Sequence, residues 1–158
     1  KEKSSHPSLI CLDGITDPHN LGAIIRSAEA LGCHGIIIPQ RRSAGLTGTV
    51  AKVAAGALEN IKICRVVNLN RALIELKDEG FFIVGLSADS NISITDFKEK
   101  APIVIVIGSE NKGLSLLTQK NCDYLLKIRL SGKTPSLNAS VAAAISIFQL
   151  SKNFSTIN

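Results

Sequence analysis

The sequence predicts an α/β fold: a parallel sheet covered by helices on both faces. Three observations predict it. Apolar strand-like runs alternate with helical patterns along the 158 residues. The runs are apolar on both faces, as strands buried from two sides must be. No repeat, low-complexity tract or linker interrupts the alternation, so the whole reads as one α/β unit.

The first strand is Ser8–Leu12, an apolar run that ends at Asp13-Gly14. A helix over Pro18–Leu31 follows, and its ends are marked by local chemistry. Asp17 can cap the first free amides, Pro18 suits the first helical position, and Gly32 can take the left-handed stop. Gly35–Ile38 is β-branched and fully apolar, and reads as the second strand. Thr49–Leu58 is Ala- and Val-rich with helical spacing, and Ile61–Val66 is the third strand. Leu69–Glu79 places apolar residues at intervals of three and four, as an amphipathic helix does. Phe81–Leu86 and Ile103–Ile107 are apolar strands, the helix Leu114–Asn121 leads to the strand Tyr124–Ile128, and Leu137–Lys152 is a last, Ala-rich helix.

Composition narrows the function. At 158 residues, the chain reads as a single domain, 1–158, long enough to bury its own core. A hydrophobic fraction of 45% excludes disorder. Apolar runs such as Ile103–Ile107 are far short of a membrane span, and no basic-then-apolar leader opens the chain. We therefore expect no membrane and a cytoplasmic location. Because position 1 is Lys and no Met occurs, a processed product or fragment is expected, with an upstream domain missing. Cys11, Cys33, Cys64 and Cys122 are scattered without a C-x-x-C pair and are expected as reduced core residues. His6, His19 and His34 lack metal-ligand spacing, so no metal is expected. The net charge of +5 suits an anionic partner. With aromatics at 4% and no Trp, RNA would be held through phosphate and ribose rather than by stacking. Arg41 and Arg42 are the candidate contacts for it; equally, they form a solvated basic loop.

The helix Pro18–Leu31 contains a conflict. Its body is Ala, Ile and Leu, yet it carries Asn20 and Arg26. Arginine cannot shed its charge and is rarely buried alone. Either Arg26 lies on the solvent edge paired with a carboxylate, or it meets an anion or a developing negative charge.

In parallel sheets, ligands bind beyond the carboxyl ends of the strands. Three loops there are chemically unusual: Asp13–Asn20, Gly108-Ser109-Glu110-Asn111-Lys112-Gly113, and Ser131–Ser140. Gly108 and Gly113 have P-loop spacing, but the lysine that must follow is Leu114. Gly132-Lys133-Thr134 imitates the end of that motif, but Lys127 stands where its first glycine belongs. No G-x-G-x-x-G occurs. A phosphate-cradling nucleotide site is excluded. A glycine-bounded turn with one carboxylate, Glu110, suits a nucleoside better; equally, it is an ordinary strand-to-helix turn. Ser136-Leu137-Asn138 can equally be a helix N-cap box.

In order, Asn20 with Arg26, Gly-Ser-Glu-x-x-Gly at 108–113, and Ser-Leu-Asn-x-Ser at 136–140 resemble the three motifs of the SpoU (TrmH-like) branch of the SPOUT RNA methyltransferases. The resemblance runs from about Leu9 to Leu150. Leu12–Gly22 and Arg42–Thr47 are most similar to the enzymes that methylate a guanosine ribose in 23S ribosomal RNA.

The resemblance implies methyl transfer from S-adenosylmethionine to a ribose 2′-hydroxyl of RNA. It also implies a carboxyl-terminal trefoil knot, a homodimer with active sites near the subunit interface, and often a separate RNA-binding domain upstream. By position, Gly108, Gly113, Ile128 and Leu137 would lie against the cofactor, and Arg26, Asn20, Glu110, Ser136 and Asn138 match the functional polar positions. Arg26 is expected to stabilise the developing alkoxide and clamp the neighbouring phosphate, since a protonated guanidinium is a poor base. Three places depart from the family pattern: Asn111-Lys112, Arg129 and Lys133-Thr134-Pro135; Lys112 and Lys133 are candidate phosphate contacts. A transfer-RNA ribose methyltransferase, or an RNA-binding protein that kept the fold and lost catalysis, are the alternatives.

Overall fold

Six strands, β1 (Ser8–Asp13), β2 (Gly35–Pro39), β3 (Lys62–Val66), β4 (Phe82–Leu86), β5 (Ile103–Gly108) and β6 (Tyr124–Leu126), form one sheet in the order β3-β2-β1-β5-β4-β6. Every pairing is parallel. The computed structural model describes residues 6–151. The central pair is β1 and β5, in register from Ser8 opposite Ile103 to Asp13 opposite Gly108. Strand order reverses there, the kind of place beside which open α/β sheets bind ligands.

Alternation along the strands builds two cores. Ile10, Leu12, Ile36, Ile38, Ile105 and Ile107 face one side, where α1 (Pro18–Ala30), α2 (Gly48–Ala54) and α5 (Ala139–Ser151) pack. Cys11, Ile37, Val104 and Val106 face the other, under α3 (Leu69–Asp78) and beside α4 (Leu116–Asn121). Each fully buried Ile or Leu contributes roughly 1.5–3 kcal/mol. That explains why strands without a polar face are stable here.

The marked ends of α1 are as expected. The Asp17 carboxylate accepts from the amides of His19 at 2.7 Å and Asn20 at 3.4 Å, and Gly32 sits at φ +83° just past the helix. Other limits move for local reasons. The helix expected over Thr49–Leu58 stops at Ala54, because Ala55 and Gly56 turn left-handed and a short 3-10 turn, Ala57–Glu59, follows. The expected Leu114–Asn121 helix begins only at Leu116: Leu114 is buried in the second core and the Ser115 hydroxyl caps the amide of Thr118. The strand expected to reach Ile128 ends at Leu126, beyond which Lys127 pairs only with Ser93. The last helix starts at Ala139 rather than Leu137, and its expected end, Lys152, lies outside the described residues, as do both ends of the expected 1–158 domain.

One core assignment is corrected. Cys11 is buried and Cys33 and Cys122 are half-buried, but Cys64 is exposed because β3 is an edge strand. Among the described residues, no helix is long and apolar enough to cross a membrane.

Candidate active site

A cavity of about 320 Å³ opens beyond the carboxyl ends of β4, β5 and β6. Ile107 and Leu126 line its apolar part, and three further segments form its walls: Gly108–Leu114, Ile128 with Leu130, and Pro135–Leu137. Ser87, Ala88 and Asp89, which follow β4, add to it, as do Gln119 of α4 and Ala139 and Ala142 of α5. Its charged residues are Asp89, Glu110, Lys112 and Lys127.

The β5 loop is shaped by its glycines. The Gly113 amide donates to the Ser109 carbonyl at 2.8 Å, and the Lys112 amide donates to Ser109 Oγ at 3.2 Å. This tight turn needs Gly113 at φ +62°, where a side chain is strained. It also needs Gly108, since a Cβ there would stand 2.3 Å from the carbonyl carbon of Gly113. The missing side chain of Gly108 thus serves loop closure, while the residue still lines the cavity. Beyond the turn, the Ser115 amide donates to Asp13 Oδ2 at 3.0 Å, which ties the loop's exit to the end of β1.

The start of α5 is held from two sides. Glu110 Oε1 accepts from the Ala139 amide at 2.8 Å. Asn138 Oδ1 accepts from the amides of Ser140 at 2.9 Å and Val141 at 3.4 Å, a helix N-cap. These bonds satisfy donors that the first helical turn leaves free. The N-cap reading of Asn138 is therefore realised, and Glu110 acts on the same helix end.

The fold brings some of the expected residues together and leaves others apart. Gly108, Glu110, Gly113, Ile128, Ser136 and Leu137 all line the one cavity. Asn20, Arg26, Asn138, Arg41 and Arg42 do not. Arg26 is on the exposed side of α1, so the solvent-edge half of the first alternative holds. The carboxylate half does not: among the described residues, the ion pairs are Arg71–Glu75 and Lys77–Asp123. Arg41 and Arg42 are exposed on a loop anchored to the β1–α1 connection, where the Ala44 amide donates to the Ile15 carbonyl at 3.0 Å. A second group, from the Asp13–Asn20 loop through Arg26 to Arg42, thus lies outside the cavity of the same chain.

The sequence reading missed Asp89 and its neighbours Ser87 and Ala88. The only pointer to them was their place directly after an apolar strand, and its value depended on β4 lying beside β5. Among the described residues no His lines the cavity, and no group of three or more His, Cys, Asp or Glu could hold a metal ion. What the arrangement can do is hold a partly apolar small molecule between backbone turns, with carboxylates available for hydroxyls or positive charge.

The sequence profile of the SpoU rRNA Methylase family matches residues 7–148. An uncharacterized tRNA/rRNA methyltransferase of Synechocystis sp. is 59% identical over 150 residues, covering 95% of this chain and 39% of that protein. YacO of Bacillus subtilis, named for the TrmH family of tRNA/rRNA methyltransferases, is 46% identical over 150 residues, covering 95% of this chain and 60% of its own length. The chain therefore spans between 39% and 60% of the length of these relatives. The crystal structure of the SpoU methyltransferase AviRb from Streptomyces viridochromogenes, in complex with AdoMet, superposes with a TM-score of 0.85 at 27% identity, covering 96% of this chain and 61% of that one.

Proposed function

Because this chain belongs to the SpoU rRNA methylase family, we propose that it transfers a methyl group from S-adenosylmethionine to a ribose 2′-hydroxyl of RNA, with a guanosine of 23S ribosomal RNA as the preferred target. The observation that supports this most directly is the meeting of Gly108–Gly113, Ile128 and Ser136–Leu137 around one cavity. The first of these segments follows β5 and the others follow β6, so only the pairing of the strands brings them together. The AdoMet complex of AviRb, on the same fold, supports the same choice of cofactor.

The residues present fit that cofactor. Ile107, Leu126, Ile128 and Leu137 offer apolar surface for a purine, while the carboxylates of Asp89 and Glu110 suit ribose hydroxyls and a positive charge. A volume of about 320 Å³ is at the small end for a ligand pocket. When bound, the cofactor supplies an electrophilic methyl group on a sulfonium. In our reading, Gly108, Gly113, Ile128 and Leu137 hold it. Ser136, exposed at the cavity, and Asn20 orient the attacking hydroxyl. Arg26 stays protonated, stabilises the alkoxide as it forms and clamps the neighbouring phosphate. Glu110 and Asn138 act as positioning residues by fixing the start of α5. Arg41 and Arg42 contact RNA phosphates.

Arg26 and Asn20 reach this chemistry through a homodimer. Within one chain they do not line the cavity. The helix α5, which packs against α1, is apolar beyond its buried side: Val141 is 46% exposed, Ile145 39% and Phe148 56%. A helix apolar around most of its circumference belongs in an interior. We assign that face to a two-fold interface that brings Arg26 of one protomer to the cavity of the other. The segment after β6 is taken to form the trefoil knot of the family. A transfer-RNA target is the second reading, supported by the tRNA/rRNA wording in the names of both relatives.

The deciding experiment pairs calorimetric titration of S-adenosylmethionine with mass spectrometry of ribosomal and transfer RNA from a deletion strain. Cofactor binding and one lost 2′-O-methylguanosine in 23S RNA are expected. No heat on titration overturns the enzyme reading in favour of a plain RNA-binding protein, and a loss confined to transfer RNA overturns the ribosomal target.

A further inference from the structure

The segment from Lys127 to Asn138 carries three cations, Lys127, Arg129 and Lys133, and no acidic residue. Of the three cations, Lys127 lines the cavity. Ile128, Leu130, Pro135, Ser136 and Leu137 line the cavity, whereas Arg129 and Lys133 do not. Both cations are exposed, and among the described residues neither is in an ion pair. Three carboxylates at this end of the sheet are hydrogen-bonded to backbone amides. Asp13 accepts from Ser115, Asp17 caps α1, and Glu110 holds Ala139. Asp89 belongs to the cavity lining.

Two exposed cations outside the described ion pairs are thus carried on the loop that forms a cavity wall. Their charge does little for folding, since exposed charges contribute little even when paired. A small molecule inside the cavity cannot use it either. It suits a polyanion that passes across the mouth, and such attraction is the sequence-independent part of nucleic-acid binding.

We propose that Arg129 and Lys133 form a phosphate-binding strap that holds the RNA backbone across the cavity mouth, next to Ser136. Four peptide units separate them, at most about 14 Å of chain, so both can grip one short stretch of backbone. Arg129 offers two parallel donors to a phosphate and Lys133 a point charge. Since Ser136 lies on the same loop, gripping the phosphates there also sets where the neighbouring ribose enters. The strap rests on the RNA methyltransferase reading above, and it adds a surface that reading does not require.

The test uses R129Q, K133Q and the double variant in the full chain, with three probes: a polyuridylate 20-mer, S-adenosylmethionine, and vesicles containing anionic lipid. Each lost contact should weaken polyuridylate binding about fivefold at 0.1 M salt. It should also lower the slope of log affinity against log salt by about 0.7. Affinity for S-adenosylmethionine should stay as in the unsubstituted chain, and methyl transfer should show a raised KM for RNA. Three results overturn the strap: an unchanged salt slope in the double variant, no RNA binding by the unsubstituted chain, or vesicle binding through these residues with none to RNA. If cofactor affinity falls with the charges, the loop serves the cofactor and the strap is likewise overturned. A chain that binds RNA through both residues but takes no S-adenosylmethionine keeps the strap and loses the methyltransferase reading.

Discussion

The Glu110 carboxylate accepts a 2.8 Å hydrogen bond from the Ala139 amide, so a residue of the β5 loop holds the first turn of α5. Two walls of the cavity are thereby locked to each other. Glu110→Ala should cost about 1 kcal/mol in urea unfolding, the scale of a lost N-cap. It should also speed hydrogen exchange at Ala139. Glu110→Gln keeps an acceptor and should retain most of both. If the alanine variant exchanges as slowly as the unsubstituted chain, the bond does not hold the helix.

Leu137 lies half-buried in the cavity wall, ahead of α5 and outside both cores. Leu137→Arg should leave the thermal unfolding transition in place, because no core contact is lost. It should abolish S-adenosylmethionine binding, because a guanidinium in the apolar part of the pocket is costly to desolvate. Normal affinity in calorimetry would move the cofactor elsewhere.

Arg26 is exposed on α1. Arg26→Ala should therefore leave stability nearly unchanged, within about 0–1 kcal/mol. If it meets the developing alkoxide, single-turnover methyl transfer should fall roughly 10²–10³-fold with unchanged cofactor affinity. Arg26→Lys should recover only part of the rate, since a point charge lacks the planar fork. Full activity in the alanine variant removes Arg26 from the chemistry.

Ile145 and Val141 are exposed one turn apart on α5. If that face is the dimer interface, Ile145→Asp should place a charge where it cannot be hydrated and dissociate the dimer at micromolar concentration. Sedimentation reads this directly. Methyl transfer should then fall with dimer content, whereas a monomer with full turnover would show that each chain carries a complete site.

Burial pushes the thiols of Cys33 and Cys122 up to about 11 from an ordinary value of 9.0. Between those pH values the folded chain holds more protons than the unfolded one, so stability is full below pH 9 and is lost as pH rises toward 11. Urea midpoints should decline across that window, and less steeply in a C33A/C122A variant. An identical slope in the variant would assign the decline to other groups. Tyr124, also raised by desolvation and by nearby Glu99, acts in the same direction.

Much of this architecture is legible in the residues because its causes are local or periodic. Runs such as Ile103–Ile107 can only be strands buried on both faces, and Asp17, Pro18 and Gly32 mark the ends of α1 through bonds within a few residues of themselves. The motif glycines and Ser136-Leu137 are likewise visible in order along the chain. The structure alone decided what each neighbours. Asp89 became part of the cavity because β4 lies beside β5, and Cys64 became exposed because β3 took the sheet edge. Glu110 found its acceptor role 29 residues away, on a helix that starts two residues later than its sequence pattern predicts. Arg26 was separated from the cavity although its motif is read together with the others. A residue's type and spacing fix what it can bond to. Which groups come within reach is set by strand order and helix packing, which depend on every apolar side chain in the two cores at once.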